Sequence, residues 1–289
     1  MTYELVRHAG PGDFLQRAES WLLASEAEHN LHLSLAYVRR DAGATGADVL
    51  FGTVEQDGDL VGCVIRTPPH KVLITSMPPE AAPDIVGPVA ELYDEIPAVL
   101  GQADSAVAVA SAWTALKGGG WETGMQQRIY RLDQVEPVRP VPGAMRLATM
   151  DDLELLTDWG TGFARDAGHA FLLAREQVNR MIERQDLHIW QDESPASMAV
   201  AQGATPNGCR IGYVYTPPEL RGRRVRFGAR RTAEPAYARL WNDLLRAVHG
   251  PREPDAERDL PENRIQRDLR RAGHRHRFRA SLAAVGDLS

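Results

Sequence analysis

Residue type and spacing come nearest to chemistry in the stretch YTPPELRGRR, Tyr215 to Arg224. A strand-like run, GCRIGYVY, leaves through Thr216-Pro217-Pro218 into a turn carrying Arg221, Gly222 and Arg223. A strand that turns into the start of a helix exposes backbone N–H groups and the positive end of the helix dipole. Glycine in that turn lets the backbone approach a phosphate closely. Arginine adds paired N–H donors that match phosphate oxygens. The chemistry indicated is the gripping of a phosphate or pyrophosphate. The glycine that would complete such a turn is replaced by Arg224.

Other reactive residue types are scattered. His274 and His276 are spaced as metal ligands but have no Cys, Asp or His companions in the sequence around them, so no metal is expected. His29 and His32, at helical spacing, read as surface residues. Asp151 and Asp152 read as helix-capping residues. Cys63 and Cys209 each lie within an apolar stretch and read as reduced, buried strand residues. Trp21 and Trp159 read as core, and Glu219 as a solvated turn residue. No Ser-His-Asp or Cys-His arrangement is present, and no catalytic acid or base stands out.

These residues must be positioned by alternating elements. Phe14 to Ala36 has the apolar spacing of helix and ends before the glycine-rich DAGATGAD. VLFGTVEQ, DLVGCVIRTPP and KVLITSMP read as strands, and Ala81 to Leu100 as one or two helices interrupted at Pro88 and Pro97. SAVAVASAW and QQRIYRLDQV read as further strands. The proline-rich EPVRPVPGA, residues 136–144, reads as a linker. A second series follows: the strand MRLAT, helices over LELLTDWGTGFARDAG and REQVNRMIERQD, then the strands LHIWQD, SMAVAQGA and GCRIGYVYTPP. LVGCVIRTPPH (60–70) and RIGYVYTPPEL (210–220) echo each other, which suggests a duplicated α/β unit.

A chain of 289 residues, 43% hydrophobic and 25% charged, can bury one large or two ordinary cores. No apolar run reaches bilayer length and MTYELVRHAGPGDF is no signal peptide, so a cytoplasmic location and no membrane partner are expected. The net charge of −6 conceals a division: residues 221–289 carry 17 arginines and no lysine against 9 acidic residues, while residues 1–220 carry a large acidic excess. An alternative reading takes this tail at face value, as a non-catalytic protein's binder of nucleic acid or another acidic partner. Phe227 and Phe278 do lie among its arginines. The tail lacks regular aromatic interleaving, so nucleic acid is not the expected partner.

The motif YTPPELRGR and the order of elements before it resemble the GNAT superfamily of N-acetyltransferases. The resemblance covers essentially residues 1–223. It implies an α/β fold with a mixed sheet, in two GNAT-like units. Residues 1–135 would be a degenerate copy, residues 145–223 the start of a second domain, and residues 224–289 an arginine-rich tail following its fourth strand. It implies acetyl-CoA as cosubstrate, with no metal, and a small-molecule or protein amine as acceptor. The backbone of Val214, Tyr215 and Thr216 would hold the pantetheine arm, and Arg221, Gly222 and Arg223 would begin the pyrophosphate cradle.

After Arg223 the resemblance stops. The family continues with Gly-Tyr-Ala and an apolar helix, then a turn containing Asn-Pro, then a tyrosine-bearing helix. A change of reading frame accounts for all three. With permitted codons for Arg224 to Arg231, a shift of one nucleotide reads Gly-Tyr-Ala-Ser-Ala-Leu-Val. The same shift reads Thr-Asp-Leu-Ala-Asn-Pro-Thr from His249 to Ala256, and a tyrosine-bearing helix from Ala256 to Arg267. The expectation is a frameshifted C-terminus, with weak folding of residues 145–289 and weak acetyl-CoA affinity.

Overall fold

The computed structural model describes residues 2–43, 46, 48–132, 142–167 and 173–221. They fall into two compact units. One is residues 2–131 together with Gln202–Arg210; the other is Leu132–Ala201 together with residues 211–221. The tail from Gly222 lies outside the described residues, as does the linker segment 133–141.

The first unit runs β1 (Tyr3–Arg7), α1 (Pro11–Leu23), α2 (Glu26–Asp41), β2 (Leu50–Gln56), β3 (Asp59–Arg66), β4 (Val72–Ile74), α3 (Ala82–Leu92), β5 (Val99–Leu100) and α4 (Ala103–Lys117). Its sheet has the order β1-β2-β3-β4-β5, antiparallel except for the parallel pair β4–β5. Strand alternation sorts the core into two layers. Leu50, Val54, Val64, Val72 and Ile74 pack with Ile85, Val86 and Val89 of α3 and with Val109 and Trp113 of α4. Phe51, Cys63, Ile65 and Leu73 point the other way, onto Phe14, Leu22 and Leu33 of α1 and α2. Both faces of this sheet are therefore covered.

Several expectations change here. SAVAVASAW is not a strand but the middle of α4, whose buried residues Ser105, Val109 and Trp113 recur every four positions. The Gln102 side chain caps this helix by accepting the Ser105 N–H at 3.1 Å, and Gly118 at φ 84° follows its last turn. The segment QQRIYRLDQV has no regular structure over its described residues 126–132. α3 runs through Pro88 rather than breaking there. His29 and His32 are buried, not surface residues, because α2 buries a wide face from His29 to Ala36. The His29 ring stacks on Trp21 with centroids 4.9 Å apart. Burial, together with the neighbouring His29, pulls the His32 imidazole down to about 3.

The second unit runs β6 (Ala144–Leu147), α5 (Leu153–Ala167), α6 (Arg175–Glu183), β7 (Leu187–Asp192), β8 (Ser194–Thr205) and β9 (Gly208–Tyr215), in the sheet order β6-β7-β8-β9. One face of this sheet, with Leu187, Ile189, Met198, Val200, Tyr213 and Tyr215, packs on Leu156, Trp159, Val178 and Ile182 of α5 and α6. Trp159 is core, as its spacing suggests. The tip of the β8–β9 hairpin counts with the first unit, where the Asn30 amide donates to Gly203 O at 2.9 Å. Both thiols are pushed up by burial, but Cys209 is half-buried where the sequence suggests full burial.

The cap before α5 is Thr149, not Asp151. Thr149 N–H donates to the Asp152 carboxylate at 2.8 Å, a capping box around the 3-10 turn Met150–Asp152. Arg146 in β6 grips the same carboxylate with two N–H donors, each at 2.7 Å. That bond and the cap hold the Asp152 carboxyl below its ordinary range. Asp152→Ala is expected to lower the second unit's stability at pH 7 by about 2 kcal/mol; partial exposure of Arg146 keeps the ion-pair share modest. A carboxyl whose folded pKa is depressed stabilises above its unfolded value and loses that contribution as pH falls through the folded value. Urea titrations at neutral and acid pH should show the two proteins differing at the first and converging at the second.

Candidate anion-binding strand and turn

β9 is the edge of its sheet among the described residues. Within it Tyr213 adopts φ 48°, a left-handed conformation that a bulky residue takes only when its surroundings force it. Such a residue inside a strand kinks it and re-aims the backbone groups that follow, and these belong to Val214, Tyr215 and Thr216. The surroundings are aromatic and tight. Phe163 of α5 lies 5.4 Å from the Tyr213 ring and 6.4 Å, edge-on, from the Tyr215 ring. Gly162 faces Tyr215 so closely that an added Cβ would lie 2.8 Å from its Cζ. The Tyr215 hydroxyl is held protonated beyond its ordinary range, first by burial and then by Asp166.

The chain then passes through Thr216 and Pro217 into a 3-10 turn, Pro218–Leu220. Leu220 N–H donates to Pro217 O at 2.9 Å and Arg221 N–H to Pro218 O at 3.2 Å, so these two amides close the turn. Arg221 folds back over the site. Its Nε donates to Thr216 O at 2.7 Å, its Nη2 pairs with Asp166 of α5, and its guanidinium lies 5.5 Å from the Tyr215 ring centre. The arginine the sequence singles out is thus placed at the end of β9 but engaged within the loop. Of the residues the family resemblance implies, Val214, Tyr215, Thr216 and Arg221 lie at the end of β9 and in the turn after it; Gly222 and Arg223 lie outside the described residues. Glu219 is exposed in the turn, as expected.

Sequence reasoning passes over Gly162, Phe163 and Asp166, the three residues of α5 that hold Tyr215 and Arg221. A signal for them exists. Gly160 and Gly162 sit mid-helix, where each costs about 1 kcal/mol relative to alanine, and such a cost calls for a close approach.

The two units share the order strand, two helices, three strands. The Thr-Pro-Pro echo, however, joins strands in different places: LVGCVIRTPPH is β3, third in its sheet, and RIGYVYTPPEL is β9, fourth. The positional counterpart of Pro217-Pro218-Glu219-Leu220 is Pro78-Pro79-Glu80-Ala81, which follows β4. Both form a 3-10 turn entered from an extended proline, Pro78 at φ −55° and ψ 128°, Pro217 at φ −53° and ψ 144°. Beyond it the first unit has Ala82, Pro83 and Asp84 where the second has Arg221, Gly222 and Arg223. The Asp84 carboxylate there accepts the Tyr3 N–H at 3.0 Å. A carboxylate in the first turn of α3 repels an anion, so this counterpart is unsuited to phosphate.

Among the described residues no cluster of three or more His, Cys, Asp or Glu could hold a metal, and no helix is long and apolar enough to cross a membrane. No family model, curated protein or solved structure matches the chain.

Proposed function

We propose that this chain derives from a tandem N-acetyltransferase of the GNAT superfamily, and that its acetyl-CoA site is the β9 strand and the turn after it. The observation that carries the reading is Tyr213. A left-handed residue inside an edge strand, followed by Pro-Pro-Glu and Arg221, is what a strand needs to offer its backbone to a pantetheine amide and then a pyrophosphate. The repeated order of elements supports descent from two such units, the first having lost the anion-binding residues after its own Pro-Pro-Glu turn. The reaction is direct transfer: an amine attacks the thioester carbonyl, whose oxygen the strand backbone near Tyr215 polarises. The C–S bond breaks, the amine gives up a proton, and the departing thiolate takes one up to leave as the thiol of coenzyme A. No residue of this chain is assigned as the acid or the base.

In this reading the frame changes after Arg223, so only the first half of the cradle remains. The test is calorimetric titration with acetyl-CoA of two full-length chains, one as given and one with residues 224–289 replaced by the neighbouring frame. The restored chain is expected to bind with a Kd on the order of 10 μM, and the chain as given about 100-fold more weakly. In the restored chain Arg221→Ala should weaken binding about tenfold, the worth of a charge-assisted phosphate contact. Absence of binding to the restored chain, or turnover by the chain as given at ordinary enzyme rates, overturns the proposal.

A further inference from the structure

Three polar atoms without a hydrogen-bond partner are carried by one short turn of the first unit, between β3 and β4. They are Arg66 Nη1, Thr67 Oγ1 and His70 Nε2, all shut off from solvent. Arg66 is only 7% exposed and Thr67 only 2%. The turn itself is closed: His70 N–H donates to Thr67 O at 3.0 Å and Arg66 Nε to His70 O at 3.4 Å. The Arg66 guanidinium lies over the Tyr93 ring, 3.8 Å from its centre, and the Tyr93 hydroxyl is spent on Asp48 O at 2.7 Å. No carboxylate pairs with Arg66 among the described residues.

A buried guanidinium donor left unmatched carries its full desolvation penalty, and an aromatic face answers the charge without satisfying the N–H. Burial accordingly disfavours the charged form of Arg66, with Tyr93 and Asp48 acting against that pull. A hydroxyl and an imidazole nitrogen orphaned in the same turn make two more groups able to donate. We propose that the Arg66–His70 turn is a binding site for a small oxyanion, a carboxylate or phosphate group, whose oxygens take Arg66 Nη1, Thr67 Oγ1 and His70 Nε2. Pro69 at the tip of the turn is exposed. The site belongs to the unit whose Pro-Pro-Glu turn is unsuited to phosphate, and it does not depend on the acetyltransferase reading.

The test is hydrogen–deuterium exchange on the full-length chain with acetate, succinate or inorganic phosphate, each against sodium chloride at matched ionic strength. Amides from Thr67 to Lys71 are expected to slow about fivefold, saturably, with a midpoint on the order of 1–10 mM. Slowing by phosphate alone supports a phosphate-bearing ligand, and slowing by the carboxylates a carboxylate ligand. No slowing beyond chloride overturns the proposal. Arg66→Met should abolish the effect while β2 keeps its protection. If that variant unfolds the unit, Thr67→Val decides: it keeps the side-chain shape and removes one donor, and midpoints should rise at least threefold. Midpoints unchanged in Thr67→Val overturn the proposal.

Discussion

Amide exchange on the intact chain is expected to divide into two levels, with β2 and β3 protected on the order of 10³-fold more strongly than β7 and β8. A difference of that size corresponds to about 4 kcal/mol between the openings of the two units. The physical reason is coverage. In the first unit helices pack on both faces of the sheet: α3 and α4 over Leu50, Val64 and Ile74, α1 and α2 over Phe51, Cys63 and Ile65. In the second, the helices α5 and α6 cover the face of Leu187, Ile189, Met198 and Val200. In the proposed lineage the residues that would complete that unit are 224–289, which are rich in arginine and poor in apolar periodicity. Equal protection of β7 and β2 would show that the second unit is complete as it stands.

Gly162→Val is expected to destabilise the second unit by about 3 kcal/mol. The new side chain enters the space of the Tyr215 ring, which is 6% exposed and flanked by Phe163 and Arg221, so the ring has nowhere to retreat without disturbing β9. Helix propensity acts slightly the other way, since valine suits a helix better than glycine by a few tenths of a kcal/mol. Gly87→Ala in α3 is the matched control: nothing lies within 4 Å of its added Cβ, and it should stabilise the first unit by about 0.5–1 kcal/mol. In the restored-frame chain Gly162→Val should also abolish acetyl-CoA binding, because Tyr215 carries Thr216 and, through it, Arg221. A denaturant midpoint unchanged by Gly162→Val would mean that Tyr215 is free to move.

Much of this fold is legible residue by residue. β2, β3, β7 and β9 announce themselves through β-branched and aromatic runs, and α1, α5 and α6 through apolar spacing. SAVAVASAW misleads because positions four apart in a helix are also an even number apart in a strand. Ser105, Val109 and Trp113 satisfy both periods, and only the capping Gln102 and terminal Gly118 favour the helix. The internal echo misleads in a different way. Thr-Pro-Pro is a chemically natural exit from any strand, so it recurs at β3 and β9, whereas the matching positions share the quieter Pro-Pro-Glu. Tyr213 could not be read at all, since nothing in tyrosine itself favours a left-handed backbone. The buried Arg66 lies in a motif the sequence does single out, but its burial comes from Tyr93, 27 positions away.

The central claim, that the chain after Arg223 is an acetyltransferase C-terminus in the wrong frame, can be read directly from nucleotides. Sequencing the gene from the codon of Leu220 to the codon of Arg267 gives the actual synonymous choices. The expected result is that the frame displaced by one nucleotide runs open and reads Gly-Tyr-Ala from Arg224, Asn-Pro within His249 to Ala256, and a tyrosine-bearing helix after it. A displaced frame that is interrupted by stop codons, or that encodes none of these, would contradict the account.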